Sequence, residues 1–147
     1  MSPSEPGSEA VGPPDRYTLR LLDRRLAGDD LVESTVFDPD DIEPRVLRAR
    51  LETDRYPPPT TRAILDVRWF VGDDFSIHYR EETGGEHWEC RWDRHPNPHA
   101  DRLHFHCPPD CESVESLDLE STHPLDVCST VLAALEERID EHWRREG

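Results

Sequence analysis

Between Cys90 and Cys107 the chain reads CRWDRHPNPHADRLHFHC, so four of its 8 histidines and two of its 4 cysteines share one short run. Histidine exchanges protons near neutral pH, arginine grips phosphate through a planar fork, and a carboxylate can orient either. These residue types together suit RNA cleavage without a metal. That reaction needs a base for the 2′-hydroxyl proton, an acid for the leaving oxygen and cations for the charge on the phosphorane. On this reading the catalytic candidates are Asp93, His99, His104 and His106, and Arg68, His78, Arg80 and Arg91 bind substrate. The same residues also fit a binding surface for a partner protein or nucleic acid, or an exposed sheet face carrying ordinary cross-strand ion pairs.

Other chemistries have weaker support. Cys107-x3-Cys111 has the spacing of a structural zinc pair, and His104 and His106 share a strand face. No second Cys/His pair stands at the distance a zinc finger requires, so the spacing assigns no metal, and no cofactor is called for. Cys90 reads as a small buried hydrophobe between two tryptophans. No G-x-S-x-G surrounds a serine, Ser76 included, and TGGE is a hairpin turn rather than a phosphate cradle.

Strands must position these side chains. ILDVRWF (64–70), FSIHYRE (75–81) and HWECRWDR (87–94) are joined by Gly-Asp-Asp and Thr-Gly-Gly, which predicts two hairpins. RLHFHC (102–107) adds a strand after a Pro/Asn-rich loop bearing His95 and His99. LVESTVFD (31–38) and RVLRARLE (45–52) precede them as strands, and 107–122 reads as loop. YTLRLLDRRLAG predicts a helix capped by Asp15 and ended by Gly28, and His123–Arg145 predicts a long amphipathic one with Val127, Val131, Leu135, Ile139 and Trp143 in its stripe. The fold class is α+β: an antiparallel sheet of about five or six strands packed against an N-terminal and a long C-terminal helix. Residues 1–14 read as a disordered acidic, Pro-rich tail and 15–147 as a single domain.

Alternation sorts the strands into two faces. Ala63, Leu65, Val67, Trp69, Phe75, Ile77, Tyr79, Trp88, Cys90, Trp92, Leu103, Phe105 and Cys107 line an apolar face. Asp66, Arg68, Ser76, His78, Arg80, His87, Glu89, Arg91, Asp93, Arg102, His104 and His106 line the other.

A strand ending in aspartate, RWDRHPNPH, followed by a strand carrying H-x-H, LHFH, resembles the TumE family of toxin–antitoxin toxins, in particular its haloarchaeal relatives. The resemblance covers roughly residues 63–107 and, more loosely, the C-terminal end. It implies a small α+β toxin encoded beside a DNA-binding antitoxin and acting by mRNA cleavage. The family pattern falls on Asp93, His99, His104 and His106. Cys107 and Cys111 lie outside it, and the first 60 residues are left unmatched.

Composition bounds the setting. The 147 residues carry 33 acids against 17 basic residues, every one of them arginine, for a net charge of -16. At ~1 M salt the Debye length shrinks to ~3 Å, which screens a surface of this kind from itself. The expectation is a halophilic, soluble, cytoplasmic protein with no membrane span, an antitoxin and RNA being its implied partners. Its melting temperature should rise with added potassium chloride. A melting temperature indifferent to salt would contradict the halophilic reading.

Overall fold

The computed structural model describes residues 12–96 and 102–146. Seven strands run in chain order: β1 (Val32–Asp38), β2 (Val46–Leu51), β3 (Thr60–Trp69), β4 (Phe75–Thr83), β5 (Glu86–Arg94), β6 (Leu103–His106) and β7 (Val114–Ser116). Each pairs antiparallel with its neighbour, so the sheet order is β1 to β7 without a crossover. Helices α1 (Arg16–Ala27) and α2 (Pro124–Glu146) flank the sheet in sequence, with a 3₁₀ turn at Thr53–Arg55. The α+β class is as expected, with one strand more than the alternation indicated. VES at 114–116 is exposed along its whole length, so it carries no hydrophobic period to announce it.

Local chemistry explains the connections. Gly84 and Gly85 both take positive φ (59° and 84°), as the two-residue turn between Thr83 and Glu86 demands. Asp15 caps α1 by accepting from the Thr18 amide at 3.0 Å. Upstream, the Pro13 carbonyl accepts from Val71 N at 2.8 Å and Asp15 N donates to Trp69 O at 2.8 Å, so the chain entering α1 is stitched to the end of β3. Gly12 passes so close there that a Cβ would meet the Val71 carbonyl at 2.6 Å.

The core lies between one sheet face and the helices. Leu47, Ala49, Leu51, Ala63, Leu65, Val67, Trp69, Phe75, Ile77, Tyr79, Cys90 and Trp92 meet Leu19, Leu22 and Leu26 of α1 and Val127, Val131, Leu132, Leu135 and Ile139 of α2. The apolar set assigned by alternation is therefore the packed face, with Trp88, Leu103 and Phe105 half-buried at its β6 end. Cys107 has left β6 and is also half-buried. Trp143, expected in the α2 stripe, is instead 47 % exposed and donates through Nε1 to Arg55 O at 2.8 Å. His142 takes the inward position one residue earlier.

That inward turn of α2 serves a charge. Glu81 continues the core-facing parity of β4 and is 1 % exposed. Its Oε1 accepts from Arg138 Nε at 3.1 Å and lies 2.8 Å from His142 Nε2, while Tyr79 OH donates to Oε2. Tyr56 OH lies 2.7 Å from Tyr79 OH, and the Arg138 guanidinium stands 3.9 Å over the Trp88 ring. Burial pushes both phenols above their ordinary value, so they remain neutral donors in this network. Removing one partner of a buried ion pair leaves the other charge uncompensated, at about 3–5 kcal/mol. Arg138→Leu should therefore lower unfolding free energy by about that amount in urea titrations, and Glu81→Gln in the same background should restore part of it.

Candidate functional site

The face turned away from the helices is organised in cross-strand rows. One row reads Arg48–Asp66–His78–Arg91–His106, and the next Arg68–Ser76–Asp93–His104–Ser116. Arginine–glutamate and arginine–isoleucine pairs extend it through Arg50, Ile64, Arg80, Glu89, Arg62 and Glu82. Six arginines (48, 50, 62, 68, 80, 91) thus share this face with five carboxylates (38, 66, 82, 89, 93). The chain as a whole has 17 basic residues to 33 acids, so the face is set apart in sign from the rest of the surface.

Two buried aspartates hold its cations in place. Asp66, 7 % exposed, accepts from Arg48 Nε at 2.8 Å and from Arg80 Nη2 at 2.9 Å. One carboxylate thereby holds two half-exposed arginine side chains. The hydrogen bond and charge of Asp66 raise the Arg48 pKa further above its ordinary range. Asp93, 3 % exposed, plays the corresponding part on β5. Its Oδ2 accepts from Arg91 Nε at 2.9 Å and lies 2.9 Å from His106 Nε2. Arg91 Nη2 lies against the same ring, 3.1 Å from Nε2 and 3.4 Å from Nδ1. One nitrogen cannot both give its proton to Asp93 and accept from Arg91. The carboxylate is the stronger acceptor, which assigns the proton to Nε2 and leaves Nδ1 as the acceptor facing Arg91. Asp93 Oδ1 is buried and accepts no hydrogen bond among the described residues.

The predicted residues fall as follows. Asp93, His104, His106 and Arg91 come together: His104 faces Asp93 across the strand pair and is 4 % exposed. His78, Arg80 and Arg68 lie on the same face toward β3 and β4, with Arg68 exposed. His99 lies outside the described residues. Arg102 turns aside to grip Asp74 with Nε and Nη2, both at 3.1 Å, alongside Arg94. His95, which alternation placed only in the connecting loop, reaches the cluster instead. Its Nδ1 lies 3.1 Å from Pro96 O, its Nε2 3.9 Å from Asp93 Oδ2, and its ring 5.2 Å from that of His104.

Sequence spacing also passed over Glu89 and Cys111 as a pair. His78 Nε2 lies 3.0 Å from Glu89 Oε1, and one donor atom each of His78, Glu89 and Cys111 lies within 4.8 Å of the others. These three can hold a metal ion. Cys107, the other half of the predicted pair, directs its thiol at Phe105 O, 3.9 Å away.

A family model described as Toxin TumE matches residues 18–139. The match reaches well upstream of the run from Ala63, so α1, β1 and β2 are part of the family's own fold rather than an unmatched extension. No curated protein and no solved structure matches the chain.

Burial, then the carboxylate of Glu89, push the Cys111 thiol up to about 11. Its alkylation by iodoacetamide in chelator-treated protein should be slow at neutral pH. The rate should climb about tenfold per pH unit past 9.0, the ordinary thiol value, and level near 11. A plateau already at 9.0, followed by peptide mass mapping, would refute that environment.

Proposed function

The chain belongs to the TumE toxin family, and from that premise we propose that it is the toxin of a toxin–antitoxin pair and cleaves RNA on its arginine-rich sheet face. The observation that carries the reading is Asp93, a buried carboxylate meeting Arg91, His106 and His95 on a cation-rich surface of an otherwise acidic chain. His106, its tautomer set by Asp93, takes the 2′-hydroxyl proton at Nδ1. The freed 2′-oxygen attacks the adjacent phosphorus. Arg91, with Arg68 and Arg80 beyond it, neutralises the charge that builds on the phosphorane oxygens. Protonated His95 then gives its Nε2 proton to the departing 5′-oxygen, leaving a 2′,3′-cyclic phosphate and a 5′-hydroxyl. His104, buried between Asp93 and His95, positions both, and His78 extends the phosphate track. No step passes through a metal.

Among the described residues no helix is long and apolar enough to cross a membrane. The reading places the toxin in the cytoplasm beside its messenger RNA, in a cell with high internal salt, held in check by an antitoxin that covers this face.

Purified protein in concentrated potassium chloride should cut single-stranded RNA to cyclic-phosphate ends, with a bell-shaped pH–rate profile and no loss in EDTA. His106→Ala should slow cleavage by about 100-fold or more, and Asp93→Asn by at least about tenfold. Cleavage unchanged in a His104→Ala, His106→Ala double variant would remove this site. RNA bound but never cut, with binding lost in Arg91→Ala, would instead make the face a non-catalytic interaction surface.

A further inference from the structure

The β6–β7 connection does more than join two strands. Cys107 N donates to Ser113 O at 2.7 Å and Cys111 N to Cys107 O at 2.9 Å, closing a tight loop. That loop folds back along β5, where Glu89 N donates to Pro109 O at 2.8 Å and Glu89 bridges Asp110. The docking carries Cys111 over β4 and β5, beside His78 and Glu89. Cys111 sits at φ 65°, a left-handed conformation that a residue with a Cβ adopts at a cost and that glycine or asparagine ordinarily fills. The backbone is thus held in an unfavourable state at the residue whose thiol completes the cluster.

We propose that His78, Glu89 and Cys111 form a binding site for a single thiophilic divalent cation of the zinc class. The donor set is one imidazole, one carboxylate and one sulfur, the mixture that such ions prefer over the all-oxygen shells of magnesium or calcium. All three side chains are partly exposed, so an ion can reach them from solvent. The charges close: a 2+ ion replaces the Cys111 proton, which leaves to solvent, and thiolate plus Glu89 carboxylate neutralise the metal. His78 and His106 stand two strands apart in one row, about 10 Å at the usual strand spacing, so the cation lies beside the His106–Asp93 pair rather than within it.

The test uses the full chain, stripped with chelator and free of RNA, so its outcome is separate from that of the cleavage assay. Calorimetric titration with zinc should show one ion per chain with release of a proton. Cobalt(II) should give thiolate-to-metal charge-transfer absorption. Cys111→Ser should abolish that absorption, His78→Ala should weaken zinc binding by about 100-fold or more, and Cys107→Ser should change neither. Far-UV circular dichroism checks the variants for folding, and if Cys111→Ser is unfolded the spectrum of the unaltered chain decides. No charge-transfer band in that chain overturns the proposal, as does zinc binding that survives both Cys111→Ser and His78→Ala.

Discussion

β3, β4 and β5 pair residue for residue from Ala63–Glu81 to Trp69–Phe75 and from Phe75–Arg94 to Thr83–Glu86. Because side chains alternate along a strand, that register fixes at once which residues meet the helices and which do not. A slip of one residue would put Trp69, Tyr79 and Trp92 in water and drive Asp66, His78 and Asp93 into the core. The apolar content of one face therefore enforces the polar geometry of the other. Rows such as Arg48–Asp66–His78–Arg91–His106 exist because Leu47, Val67, Ile77, Trp92 and Phe105 need burial next door.

Both faces contain buried carboxylates, in opposite settings. Glu81 is closed off on the core side and is met by groups from one helix, Arg138 and His142, and by Tyr79 below it. These three partners occupy both of its oxygens, so it serves to seat α2. Asp66 and Asp93 are equally hidden but their arginines are not: the guanidinium groups of Arg48, Arg80 and Arg91 stay 36–44 % exposed. A buried anion holding an exposed cation gives a fixed direction to a side chain that would otherwise sample many rotamers. Preorganised cations of this kind suit an anionic polymer better than free surface arginines do.

Much of this was readable from residue order. The spacing of Ala63, Leu65, Val67 and Trp69 separated the faces correctly, and Asp15, Gly28 and the Gly84–Gly85 turn marked their boundaries by local rules. Four features were not readable. Strand β7 lacks any apolar residue that is buried, so no period betrays it. His95 sits past the end of β5, where alternation no longer says where a side chain goes. Cys111 meets His78 and Glu89 only because a loop doubles back through a Pro109 carbonyl, a contact with no linear signature. Glu81, Arg138 and His142 lie 57 and 61 residues apart in the chain, and nothing in either segment alone marks them as partners.

The order of strands in the sheet is the order of strands in the chain, and α2, which packs on the core face, follows the whole sheet. During vectorial synthesis each hairpin can close as it leaves the ribosome, since contact order within the meander is low. Until Pro124–Glu146 follows, however, the aromatic side of the sheet is covered only by α1, and Glu81 lacks Arg138 and His142. A nascent chain that still lacks Pro124–Glu146 is thus a sticky, partly unsealed sheet, open to chaperones and proteases until the ribosome has passed that helix.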